Sequence, residues 1–314
     1  MLVAGAFVIA TNHVLGRFAS GDIPPMGLAF WRVAIGAVFM LPFAWRELVA
    51  KRQVILDHWK LFVVIAFVFM PLGNAAVYLA YNFTGAINGA VIATAQPALT
   101  MLLAWLVLHQ TITRMQALGI AIAALGVLVI IMRGDLSALS SLSFGGGDLI
   151  MLVGTLGFAF YTVLLRRVPA EIGPMLILIT VQFFGSLVMA PFYLVESLTY
   201  RTVPVTWESL VILIWLGTAI AVVAVGLNNL VVLTLGPAKA SIGHYLRAVF
   251  IAGMATILLG EAFELFHAVA FALVICGILL MTLGPTPKLR TAGPQEPKSP
   301  GPVEQRDASI SGKS

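Results

Sequence analysis

The chain is predicted to be an all-α polytopic membrane protein, and three observations predict it. Apolar runs of about 20 residues recur along most of its length, each long enough to cross ~30 Å of hydrocarbon. Charge is scarce: of 314 residues, 60% are hydrophobic and 10% charged, where a soluble domain carries ~25% charged residues. The ~10-residue alternating segments of an outer-membrane β-barrel are absent.

Taken in order, the runs give ten spans, at roughly 2–19, 26–45, 60–81, 87–108, 114–132, 148–165, 174–194, 208–231, 239–259 and 265–283. The first is not a signal peptide, because it lacks a basic leading segment and Asn12, His13 and Arg17 interrupt it. Most connections are short; residues 46–59, 133–147 and 195–207 form the longer ones. Basic residues set the orientation. With the N-terminus inside, the cytoplasmic side receives Arg46, Lys51, Arg52, Lys60, Arg114, Arg166 and Arg167 together with five basic residues of the tail. The opposite side keeps Arg17, Arg133 and Arg201, while Arg32, Lys239 and Arg247 remain within spans. Both termini are therefore expected in the cytoplasm. Residues 284–314, rich in Pro, Gly, Ser and charge, predict a disordered cytoplasmic extension.

The net charge of +5 is accounted for by these loops, so no nucleic-acid partner is expected. The one cysteine, Cys276, lies in an apolar helix and cannot form an internal disulfide. There is no HExxH metal motif and no Walker motif, so the sequence points to neither an enzyme nor an ATPase, and no cofactor or metal is expected.

Two stretches share one design. Gly236–Glu261 and Gly85–Gln110 superpose at a shift of 151 positions, bringing His244 onto Ala93, Tyr245 onto Thr94 and Arg247 onto Gln96. Ala117, Ala121 and Gly126 meet Ala268, Ala272 and Gly277 at the same shift. Near the front, Arg17 meets Arg166 and Pro25-Met26 meets Pro174-Met175 at a shift of 149. The chain thus divides into a five-helix repeat (1–132), a non-cytoplasmic connection (133–147) and a second five-helix repeat (148–283). Five is odd, so the second half enters the bilayer inverted, an architecture of secondary transporters that bind substrate near the midplane.

An ionisable residue inside a span costs at least ~2.5–3.5 kcal/mol when it faces lipid, so it faces protein or water. His244 and Arg247 are three apart and share a helix face. There Arg247 either offers planar donors to a substrate carboxylate or bonds a neighbouring helix. The fourth span offers Thr94, Gln96, Pro97 and Thr100. Pro97 bends the helix, and Gln96 is either a ligand contact or glue between helices. Asn74, Tyr78 and Asn82 form a stripe on the third span, after a kink at Pro71. Asn12 and His13 make a polar cluster on the first, and Tyr161, opposite Asn12 in the repeat, caps the same cavity or belongs to an interfacial belt. No acid falls mid-span. Proton coupling would then need His13 or His244, and a facilitator or uniporter moving down the substrate gradient is the expectation.

The pattern resembles the drug/metabolite transporter superfamily, and within it the EamA-type ten-span members. The resemblance covers about residues 1–284. It is carried by Asn12 and Gly16-Arg17, Ile23-Pro24-Pro25, Leu28-Ala29-Phe30 and Arg32, then Pro97, Thr100, Gly119 and Gly126-Val127. In the second half Gly147-Asp148-Leu149, Gln182-Phe183 and Glu261 continue it. Two departures stand out: Gln110 replaces the acid usual after the fourth span, and Arg247-Ala248 stands where the first half has Gln96-Pro97. The second departure resembles the amino-acid exporter subgroup. The resemblance implies export of small polar metabolites, amino acids first, across the cell inner membrane by alternating access. The rival within the superfamily is a sugar, nucleotide-sugar or drug substrate. The expected partners are a small-molecule substrate and the lipid bilayer. A monomer is compatible with the sequence, which sets no oligomeric state.

Overall fold

Apolar runs without partners for their backbone N–H and C=O groups in lipid must bond internally, and the described residues are accordingly helical, with no strand among them. The computed structural model describes residues 2–133, 145–224 and 242–283. The helices are α1 (Leu2–Phe18), α2 (Pro25–Ala50), α3 (Trp59–Ala80), α4a (Ala86–Thr94) with α4b (Gln96–Leu108), and α5 (Arg114–Ile131). The second half holds α6 (Gly146–Arg167), α7 (Pro174–Thr199), α8 (Trp207–Ala224), α9 (Ile242–Leu258) and α10 (Leu265–Leu283). Seven of them are long and apolar enough to cross a bilayer, and α4a with α4b makes an eighth if the bent pair is one span. The apolar parts of α1 and α9 are shorter. Among the expectations, the 134–144 connection, the eighth span beyond Ala224, the start of the ninth and the tail lie outside the described residues, as do the side chains of His244 and Tyr245.

Proline marks both irregular places in the first half. Pro71 has no N–H to donate, and α3 responds by widening into π-helical turns over Val68–Ala75. Pro97, at the second position of α4b, follows a 41° break at Ala95. A second π segment, Leu216–Ala224, occupies α8 without any proline; we have no physical account of its cause.

Helix ends show which elements meet. At the end where α1 finishes (the far end), Glu196 at the close of α7 accepts from the N–H groups of Met26 and Gly27 at 3.1 and 2.8 Å. There too Glu261, just past α9, accepts from Ala86 and Ile87 at 2.8 and 3.0 Å. Each carboxylate thus satisfies two orphan donors of a helix start and sits on the positive end of its dipole. At the opposite, near end, Glu47 of α2 lies beside Gly173, which precedes α7, and Lys51 bridges from Glu47 (3.6 Å) to the Glu171 carbonyl. Between the ends, α5 and α10 run so close that a Cβ on Gly119 would come within 2.4 Å of the Gly277 carbonyl. Only glycine allows that approach, the small-residue packing typical of helices in lipid.

Candidate functional site

The first three helices bring six polar residues together well inside the bundle. Asn12, His13, Arg32, Asn74, Tyr78 and Tyr81 are each at most 8% exposed. Arg32 Nη1 donates to Asn74 Oδ1 and, at 3.3 Å, to the Tyr78 hydroxyl. Tyr78 passes its own proton to Asn12 Oδ1 at 2.8 Å. Asn74 Nδ2 donates to the Phe69 carbonyl at 2.9 Å, inside the π segment that Pro71 imposes. One link along, His13 Nδ1 and the Tyr81 hydroxyl are 2.6 Å apart, and the Tyr81 carbonyl accepts from Arg17 Nη1 at 2.5 Å. Arg17 Nε also meets Glu261 at 3.4 Å, so the cluster continues to the far-end cap of α4a.

The electrostatics of the cluster are one-sided. The guanidinium groups of Arg32 and Arg247 are both close enough to act on the His13 imidazole, so α1, α2 and α9 aim basic groups at one region. Among the described residues the nearest acid tied to them is Glu261, already occupied by Arg17 and two backbone donors. Arg32 Nε is buried without a hydrogen-bond partner, and a buried charged donor left open costs ~1–3 kcal/mol or more. An anionic group entering here would find Arg32 held in place by Asn74 and Tyr78 and, among the described residues, basic groups from three helices.

The other expected residues divide. Thr94 is buried, but its hydroxyl bonds back to the Ala90 carbonyl of its own helix at 2.6 Å. Gln96 is half-buried at the α4 break, with its carbonyl accepting from Thr100 at 2.8 Å. Asn82 is a helix-end device: its Nδ2 donates to the Tyr78 and Leu79 carbonyls, and its Oδ1 accepts from Gly21 N. The structure does not bring Tyr161 to Asn12. Tyr161 instead stacks on Phe69 at 4.2 Å and packs with the apolar cluster around Phe62 and Leu176, because its ring gains more area against those apolar side chains. Trp215 donates to Thr11 at 2.9 Å, joining α8 to α1.

Two participants were not singled out from sequence. Arg32 is legible as a charge within a span and as a mark of the family resemblance, but not as a member of this cluster. Tyr81 was passed over for Asn82, yet 74, 78 and 81 follow the i, i+4, i+7 face of a helix more closely than 74, 78 and 82. A cavity of about 910 Å³ opens elsewhere, at the far end between α2, α3 and α7, among Leu79, Phe83, Phe192, Val195, Glu196 and Arg201; it does not include the basic cluster. Among the described residues no group of three or more His, Cys, Asp or Glu could hold a metal ion.

A buried cluster rich in basic groups lies across several apolar helices, and comparison with known proteins names its setting. The model of the EamA-like transporter family matches residues 1–132 and 145–283. The chain belongs to that family. Its curated relatives include the uncharacterized transporter YyaM of Bacillus subtilis, 27% identical over 286 residues and covering 89% of this chain and 91% of the relative. An uncharacterized transporter of Archaeoglobus fulgidus is 23% identical over 285 residues, with 90% and 96% covered. A solved structure, titled only as the crystal structure of a protein, aligns with a TM-score of 0.59 at 17% identity, over 90% of this chain and 96% of that one, a likeness of fold. This EamA-family protein is thus a polytopic helical transporter.

Proposed function

We propose that this EamA-family transporter exports small polar metabolites bearing a carboxylate, amino acids first among them, across the cell inner membrane. Ten spans in two inverted halves, with both termini in the cytoplasm, would rock about the basic cluster by alternating access. The substrate gradient would set the direction, as in a facilitator. The observation that carries this reading is the convergence of His13, Arg32 and Arg247 on one region, with Asn12, Asn74 and Tyr78 positioning Arg32. A planar guanidinium recognises a planar carboxylate through paired donors.

Competition in liposomes tests this. With the purified protein reconstituted, saturable uptake of a labelled amino acid should be inhibited by unlabelled amino acids but not by the corresponding amines, which lack the carboxylate. A site built to bond a group rejects the analogue without it by orders of magnitude. Equal inhibition by amine and amino acid would remove the carboxylate from the reading.

A further inference from the structure

The glycine run 145–147 opens α6 and brings Asp148 into the bundle at 1% exposure. Its Oδ1 accepts from the Thr84 hydroxyl and, at 3.3 Å, from Asn88 Nδ2. Asn88 Oδ1 lies 2.9 Å from His267 Nε2, while His267 Nδ1 accepts from the Glu264 N–H at 2.9 Å. A backbone N–H can only donate, so Nδ1 is bare and Nε2 carries the ring proton toward Asn88. That fixes the amide: its oxygen faces the histidine and its nitrogen faces the carboxyl. Both donors that reach the carboxyl, the Thr84 hydroxyl and Asn88 Nδ2, therefore converge on Oδ1.

The second oxygen is treated differently. Oδ2 is buried with no hydrogen-bond partner and lies against Gly145, where a Cβ would come within 2.8 Å. A carboxylate spreads its charge over both oxygens, and leaving one of them dry and unpaired is costly. A neutral carboxyl is the less costly occupant: its carbonyl oxygen takes both donors, and what stays unpaired at Oδ2 is an O–H rather than a share of a full charge. Titratable groups acting on Asp148 are Arg133, just past α5, and His267 of α10; Glu261 and Glu264 act on His267. From α3 the Tyr81 ring reaches Gly89, which Met151 of α6 flanks as well, so the network sits beside the His13–Tyr81 pair.

We propose that Asp148 is a proton-binding site facing the far side of the membrane, filled while that end is closed and emptied when it opens. As α4a, α6 and α10 part, the Oδ2–H bond breaks, the proton passes to far-side water and the carboxylate is left hydrated. Far-side pH then sets how readily this end opens. The assignment of a protonated carboxyl stands on geometry alone, whereas its effect on rate rests on the transport reading.

Infrared spectroscopy of the full chain in liposomes tests the proton without any substrate. At neutral pH the wild type should show a protonated-carboxyl band that moves when aspartate is 13C-labelled. The band should be lost in Asp148→Asn. No label-sensitive band in wild type, or an undiminished one in Asp148→Asn, overturns the proposal; the labelled wild type decides even where the variant fails to fold. Amino-acid counterflow supplies the second readout. The wild-type rate should rise with far-side pH by up to ~tenfold per unit, the limit for one proton, and Asp148→Asn should be flat. A pH-independent wild-type rate would overturn the gating. Absence of amino-acid counterflow at every pH would count against the transport reading, with the band still deciding the proton.

Discussion

Helices α2 and α7 answer one another in length, in their prolines and in the carboxylates near their ends, and α4 and α9 do not. Both α2 and α7 are 26 residues long, begin with Pro25 or Pro174, and carry an interior proline, Pro42 or Pro191. Each closes toward the start of the other, with Glu196 on Met26 and Gly27 at one end and Glu47 beside Gly173 at the other. The fourth helix instead breaks at Ala95 before Gln96-Pro97, whereas α9 runs unbroken from Ile242 to Leu258 through Arg247-Ala248. Glu261 caps α4a, while its counterpart in the repeat is the uncharged Gln110. In an inverted repeat the two halves exchange roles as access alternates, so a contact present at both ends can hold in either state. The α2–α7 pair is built as such a frame. On the proposed function, selectivity comes from what is not duplicated: the break on α4, Arg247 on α9, and Arg32 on α2, where the shift of 149 puts Val181 on α7.

Removing the asymmetry within the frame should have the largest effect. Arg32→Gln removes from α2 the charge that α7 lacks, strips Asn74 and Tyr78 of a charged donor, and should abolish uptake. It should also lower stability by ~1–3 kcal/mol, read from thermal unfolding in detergent. Next comes Glu261→Ala, which leaves two helix-start donors and Arg17 without their acceptor. A cost of ~1–2 kcal/mol is expected, with Glu261→Gln recovering part of it. Within the symmetric pair, Glu196→Ala should cost ~0.5–2 kcal/mol. Glu47→Ala should cost less, ~0–1 kcal/mol, because that residue is over a third exposed and its ion pair with Lys51 is solvated. Equal losses from the two would show that the frame is symmetric in energy as well as in sequence. Tyr161→Phe should be smallest, within ~0.5 kcal/mol and without effect on uptake, since the ring stacks on Phe69.

The helices were legible in the sequence because span length and apolar content are set locally by the bilayer. The break at Pro97 and the widening near Pro71 were legible for the same reason, as proline acts on its own helix. What the sequence could not place was which polar side chains meet across helices. Asn12, Asn74 and Tyr78 converge because α1 and α3 present matching faces to Arg32, whereas Tyr161, equally placed in the repeat, finds Phe69 instead. Asp148 read as a span-end acid, and only packing of Thr84, Asn88 and Gly145 around it shows that a span end can be as dry as a span centre.

The central claim is that the unduplicated basic cluster binds the substrate carboxylate. Uptake of a labelled amino-acid panel into liposomes by wild type and Arg247→Ala tests it most directly. The account predicts saturable wild-type uptake that falls to the protein-free background in Arg247→Ala, with Arg247→Lys recovering only part because an ammonium lacks the paired donors. Uptake by Arg247→Ala with unchanged affinity and rate would contradict it.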